Sequence, residues 1–176
     1  MKKIVAISGS LRKNSYNTLC LKEIKNLIGK ETEMEILDIS AIPLFNEDLK
    51  QNNFPAVVKE LNEKLRNADL ILIATPEYNY SVSGVLKNAL DWFSRGDNPV
   101  FEGKKVAIIS ASISRFGGVR AQNHLRQILF CMDAGLINHP EVFISSAHTL
   151  FKNNILIDQH TKEILQNFTQ YVITNI

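Results

Sequence analysis

The sequence predicts an α/β fold: a three-layer sandwich around a parallel central sheet. Three observations lead there. Strand-like and helix-like segments alternate along the 176 residues as βαβαβαβαβα, with connections of ordinary length. The first strand, Lys2–Ser8, is rich in β-branched residues and nearly continuously apolar, as strands covered on both faces are. Three polar loops, residues 9–17, 75–83 and 111–118, follow strands, and open α/β sheets bind ligands at the carboxyl ends of their strands. No repeat or linker composition divides the chain, so one domain spanning 1–176 is expected.

After the first strand, Gly9 suits a tight turn. Leu19, Cys20, Ile24, Leu27 and Ile28 recur at helical spacing from about Asn17, and Gly29 gives a stop. Met34–Ile39 alternates with charged residues and reads as a more exposed second strand. Ala41–Pro55, with its prolines, Asn and Asp, reads as a long loop. Pro55 suits the first turn of a helix ending near Asn67, with Val58, Leu61 and Leu65 inward. Asp69–Ala74 is the third strand and Thr75–Ser83 a loop. Gly84–Phe93 is a short helix with Val85, Leu86, Ala89 and Leu90 inward, and Ser94–Gly103 is turn-rich. Lys105–Ser110 is the fourth strand. Val119–Met132 is helical and ended by Gly135. Val142–Ile144 is a short fifth strand after Pro140, and Asp158 caps a last helix carrying Ile164, Leu165, Phe168 and Val172.

Composition excludes several classes. The balance is ordinary, 45% apolar and 22% charged, and a chain this long buries roughly 68–70% of its extended surface, so no staple is required. Net charge is +2 and the basic residues are scattered, which gives no nucleic-acid footprint; Lys104–Lys105 reads as a wetted strand entrance. Cys20 and Cys131 form no CxxC or Cys/His cluster, so no metal site is expected, and both read as buried apolar residues inside helices. The apolar run at the N-terminus, too short and too soon followed by Gly and Arg, does not read as a signal peptide, and no stretch approaches the roughly 20 apolar residues of a membrane span. A soluble, cytoplasmic protein is the default.

The residues of the first loop point to an anion. A helix N-terminus offers unpaired N–H groups and partial positive charge. Ser8, Ser10, Ser15 and Thr18 add hydroxyls, Asn17 an amide and Arg12 a full charge. The set fits a phosphomonoester better than a sugar or a metal. The alternative is an ordinary helix capped by Ser15 or Asn17, with Arg12 in solvent. Neither GxxxxGK[ST] nor GxGxxG is present, against a triphosphatase and against a dinucleotide fold with its pyrophosphate at this turn.

In the second loop, Pro76–Glu77–Tyr78–Asn79–Tyr80 combines two aromatic rings, an amide and a carboxylate. It reads either as a flat wall for a heterocycle or as a surface turn whose tyrosines cover a helix. Ser81 or Ser83 suits the cap of the next helix, where Trp92 reads as core or interface, Lys87 as solvated and Asp91 as structural. In the third loop Gly117–Gly118 permits close backbone approach, and Arg115 or Arg120 faces either a ligand or a surface partner. The four histidines attend no nucleophile motif, GxSxG is absent, and no carboxylate pair stands out as acid and base. A phosphate site joined to a planar slot, with few acid–base groups, suits a mononucleotide that carries its own chemistry, such as a flavin.

These segments resemble the NADPH-dependent FMN reductase family, the flavodoxin-like quinone, azo and chromate reductases, over nearly the whole chain. GSLRKNSYN at 9–17 resembles its phosphate loop, ATPEYNYSVSGVLKNALDW at 74–92 its flavin-contact loop and following helix, and SISRFGGVRAQNHLRQIL at 112–129 its third segment. The resemblance implies a flavodoxin-like five-stranded parallel sheet in order 2-1-3-4-5. It implies Ser10, Arg12, Ser15 and Asn17 around the FMN phosphate, and Pro76, Glu77, Tyr78 and Asn79 along the isoalloxazine edge, mostly through backbone groups. Ser110, Gly117 and Gly118 would lie near the opposite side. Family members are commonly homodimers or homotetramers with the flavin near the interface, and the helix from Gly84 and the long loops suit such an interface. The implied reaction is ping-pong: NADPH or NADH delivers hydride to flavin N5, and a quinone, azo compound, flavin or similar small acceptor takes electrons from the same face. No side chain is a catalytic nucleophile, and no metal, nucleic acid or membrane takes part. The alternatives are a flavodoxin-like electron carrier, disfavoured by the near-neutral charge and the loop arginine, and a binding module with a relict pocket.

Overall fold

The computed structural model describes residues 1–96 and 99–176. The turn-rich stretch expected at 94–103 falls partly on 97 and 98, outside the described residues. β1 (Lys2–Ser8) is the second strand of a five-stranded sheet in order β2-β1-β3-β4-β5, every neighbouring pair parallel. The others are β2 (Thr32–Leu37), β3 (Leu70–Thr75), β4 (Lys105–Ala111) and β5 (Gly135–Ile144). Alternate residues of a strand face opposite sides, so β1 supplies two cores. Val5 and Ile7 face α3 (Ala56–Arg66), α4 (Gly84–Phe93) and α5 (Val119–Cys131). Ile4 and Ala6 face α1 (Tyr16–Leu27) and α7 (Gln159–Thr174). Burying each large aliphatic side chain in these layers contributes about 1.5–3 kcal/mol.

The three-layer class, the sheet and its order agree with the sequence reading, and several details differ. The segment 41–55 holds a short helix, α2 (Glu47–Asn52), capped by Asn46, whose Oδ1 accepts from the Asp48 N–H at 2.9 Å. Six residues between prolines carry too little periodicity to show it. This segment is anchored on α4: the carbonyl of Pro43 accepts from Trp92 Nε1 at 2.8 Å and Asn88 Nδ2 at 2.9 Å, and the rings of Phe45 and Phe54 meet Trp92 edge-on. Trp92 is therefore core.

β5 has ten residues where three were expected, because an edge strand tolerates Pro140 and the break in its register against β4 hides the hydrophobic alternation. α5 is ended by Asp133 at φ 54°, with the Ala134 N–H bonded to the Leu129 carbonyl at 3.0 Å. Gly135 instead opens β5. Cys20 is fully buried as expected, and burial pushes its thiol up to about 12; Cys131, on the last turn of α5, is exposed, a correction to the expected burial. The tail before α7 contains α6 (Ala147–Leu150) and a two-stranded hairpin, β6 (Phe151–Lys152) and β7 (Ile155–Leu156), none of it expected. Asp158 does cap α7, accepting from the Thr161 N–H at 2.8 Å. Among the described residues no helix is long and apolar enough to cross a membrane.

Candidate functional site

β1, β3 and β4 are adjacent at the middle of the sheet, and the order of strands reverses at β1, where open sheets bind ligands. Their carboxyl ends bring the three polar loops together. Gly9 lets the first two approach: its N–H donates to the Ala74 carbonyl at 2.8 Å, and a Cβ there would stand 3.0 Å from Pro76 Cδ and 3.1 Å from Leu86 Cδ2. Space, rather than the turn angle the sequence suggested, requires the glycine, since its φ is not in the left-handed region. Ser83 donates to the Gly9 carbonyl and accepts from the Leu86 N–H, capping α4 and tying it to the first loop.

Ser15 occupies the N-cap of α1, but its side chain makes no capping bond and the first turn carries no acidic residue. Among the described residues, the N–H groups of that turn are therefore without a side-chain acceptor. Ser15 is almost fully buried and lines a cavity of ≈ 440 Å³ with Ser10, Arg12 and Tyr16. The Arg12 guanidinium lies 4.9 Å over the Tyr16 ring and has no ion pair among the described residues. Asn17 also reaches the cavity, but its amide is spoken for: Nδ2 donates to the Ala111 carbonyl at 3.0 Å and Oδ1 accepts from the Ala111 N–H at 2.9 Å. It fastens the start of α1 to the end of β4.

Pro76, Glu77 and Tyr78 form the second wall of the same cavity. Glu77 has its side chain only 8% exposed, and its carboxylate accepts from the N–H groups of Arg120 at 3.0 Å and Ala121 at 3.4 Å and from the Arg120 guanidinium at 3.2 Å. The carboxylate is the cap of α5, whose own N-cap residue is Gly118. Tyr78 and Ser81 exchange two backbone bonds of 3.0 Å around a two-residue turn, Asn79 at φ 49° and Tyr80 at φ 65°. Asn tolerates this region; a tyrosine there costs on the order of 1–2 kcal/mol. The Arg120 guanidinium stands 4.1 Å from the Tyr80 ring centroid and helps hold it.

The third wall is Ala111, Ser112 and Ile113. Ser110, Gly117 and Gly118 lie behind it. Ser110 is fully buried; its hydroxyl accepts from Gln122 Nε2 at 2.8 Å and donates to the Gly117 carbonyl at 2.6 Å. A Cβ at Gly117 (φ 59°) would fall 2.9 Å from Phe143, and one at Gly118 (φ 90°) 2.8 Å from Ser110 Cβ. Ser10, Arg12, Ser15, Asn17, Pro76, Glu77 and Tyr78 thus meet around one cavity, while Asn79, Ser110 and the two glycines shape its loops. Sequence reasoning missed Tyr16, although its place directly after the N-cap was a signal. It also missed the capping role of Glu77, which no local pattern announces.

The family profile described as NADPH-dependent FMN reductase matches residues 2–149. An NAD(P)H-dependent FMN reductase of Pseudomonas aeruginosa is 48% identical over 169 residues, covering 96% of this chain and 91% of its own. A quinone reductase of Escherichia coli is 45% identical over 140 residues, 78% of this chain and 74% of its own. Among solved structures, the flavoenzyme NAD(P)H:(acceptor) oxidoreductase FerB of Paracoccus denitrificans superposes with a TM-score of 0.90 at 30% identity, covering 99% of this chain and 96% of that one.

Proposed function

The chain belongs to the NADPH-dependent FMN reductase family, and from that premise we propose that it is an NAD(P)H-dependent FMN reductase that passes electrons to a quinone, azo compound, flavin or similar small acceptor. The observation that carries the reading is the uncapped N-terminus of α1, opening on a cavity with the unpaired cation of Arg12 beside it. These groups fit the terminal phosphate of FMN: backbone N–H donors, the Ser10 and Ser15 hydroxyls and one guanidinium. The second and third walls fit a flat ring system, since Tyr78 and Ile113 present apolar surface, while the backbone N–H and carbonyl of Tyr78 are taken by Ser81.

When bound, FMN would supply the redox chemistry, hydride acceptance from a nicotinamide donor and electron transfer to the acceptor in a ping-pong sequence. The protein binds and orients. Arg12, Ser10 and Ser15 hold the phosphate, and the Glu77–Arg120 contact keeps the second and third loops at a fixed separation. Backbone N–H groups of those loops not bonded within the protein would offset negative charge on the ring. Donor and acceptor use the same open face in turn. The cavity has a broad mouth, with Tyr78 51% and Ile113 66% exposed, which suits acceptors of varied shape. In the proposed working form the chain is a homodimer or homotetramer.

Two measurements test this. Anaerobic addition of NADPH or NADH to the FMN-loaded protein should bleach the flavin absorbance; a flavodoxin-like carrier would stay oxidised. Arg12→Ala should weaken FMN binding about 10- to 100-fold, the loss of hydrogen bonds to a charged group worth roughly 1.5–3 kcal/mol. Unchanged affinity would remove the phosphate from this loop.

A further inference from the structure

The second and third loops, whose residues wall the cavity, carry beyond its lining a rim of stacked cations and rings. The Arg115 guanidinium stands 5.1 Å from the Phe116 ring centroid, Arg120 stands 4.6 Å from the same ring, and Arg120 also stands 4.1 Å from Tyr80. Cation, ring, cation and ring thus alternate from the third loop to the second. The two arginines differ. Arg120 is half-buried and its charge is matched by Glu77. Arg115 is exposed, and among the described residues it has no ion pair or hydrogen bond, only the face of Phe116. Glu77 is the single acidic residue in 75–83 and 111–120, and it is already engaged by Arg120 and the first turn of α5. The second and third loops are therefore net positive, and among the described residues Arg115 is their cation without an acidic partner.

That charge is presented from a fixed backbone. Ser112 Oγ accepts from the Ser114 N–H and Ser114 Oγ from the Phe116 N–H, both at 3.1 Å. The Ser114 carbonyl accepts from the Ser146 N–H at 3.1 Å, and the Ser110 hydroxyl holds the Gly117 carbonyl. The loop backbone is bonded on both sides of Arg115, so what remains to be ordered on binding is its side chain.

Resting on the reading that a nicotinamide dinucleotide reduces the flavin, we propose that Arg115 binds the 2′-phosphate of the donor and so makes the enzyme select NADPH over NADH. A donor whose nicotinamide lies on the flavin must run its ribose and pyrophosphate outward across the rim. The unmatched guanidinium there has the planar fork that suits a phosphate dianion. NADH offers only a hydroxyl at that position, which gains little from a cation. Phe116 and Arg120 set the direction of Arg115; they are positioning residues, and Arg115 is the specificity-determining one.

The test compares the FMN-loaded parent protein with Arg115→Ala and Arg115→Lys. The ratio of kcat/KM for NADPH to that for NADH should fall about tenfold in the alanine variant, the scale of one charge-assisted contact. The loss should sit in KM, and lysine should restore part of it by returning the charge without the fork. Calorimetric titration with adenosine 2′,5′-bisphosphate and with AMP reads the same contact without turnover: the bisphosphate should bind the parent protein more tightly, and Arg115→Ala should erase the difference. An unchanged donor ratio would overturn the proposal. So would an equal loss with both donors, which would put Arg115 on the shared pyrophosphate, or a bisphosphate preference that survives in Arg115→Ala. Failure of the parent protein's flavin to bleach with either donor would instead overturn the reductase reading itself.

Discussion

Glu77→Ala isolates the contact that joins the second loop to the third. The carboxylate caps α5 through two N–H groups and pairs with Arg120. Losing a capping side chain costs about 1 kcal/mol. The ion pair adds less than a buried one would, because the Arg120 side chain is 35% exposed and solvent screens it; about 0.5 kcal/mol is a fair share. The total is about 1.5 kcal/mol, which for a chain of this size lowers Tm by about 3–6 °C. Scanning calorimetry on FMN-free protein reads it, since bound cofactor would add its own stabilisation. Glu77→Gln retains an acceptor without the charge and should fall between alanine and the parent. A Tm for Glu77→Ala within about 1 °C of the parent would refute the capping role, because even the lower end of the cost exceeds that shift.

Two further expectations follow from the same kind of reasoning. Asn17→Ala leaves the N–H and carbonyl of buried Ala111 without partners; at roughly 1–2 kcal/mol for each unmet group, a loss of about 2–4 kcal/mol should appear in urea unfolding. A stability equal to the parent's would mean that water replaces the amide at both atoms. Asp158 is held below the usual carboxylate range by hydrogen bonds from Thr161. A carboxyl with a lowered folded pKa adds stability above its unfolded value, and that stability is lost as pH falls through the folded one. The stability of the parent should therefore drop below about pH 4, and Asp158→Ala should lessen the drop; parallel pH profiles for the two proteins would contradict the cap.

The sequence by itself determined the layers and marked the loops that meet around the cavity. β1 reads as doubly buried because Ile4 and Ala6 serve one core while Val5 and Ile7 serve the other, and period-two burial is a local property of the chain. The first wall of the cavity was legible for the same reason: Ser10, Arg12 and Ser15 lie within a few residues of the helix they precede. Elements with weak periodicity were not legible. α2 is too short, β5 is interrupted at its register break, and the β6–β7 hairpin is only two residues a side.

Only the tertiary structure decided what each polar residue of the site is free to do. Asn17 is taken by Ala111, 94 residues away. Glu77 is taken by the start of α5, 43 residues on, and Ser110 by Gly117 and Gln122. In sequence all three look like ligand groups, equal to Arg12. A buried hydrogen-bonding group must be matched by whatever the fold brings beside it, and that neighbour is set by how the strands are ordered rather than by any stretch of chain. The same long-range pairing leaves Arg12 and Arg115, among the described residues, without acidic partners on the loops around the cavity.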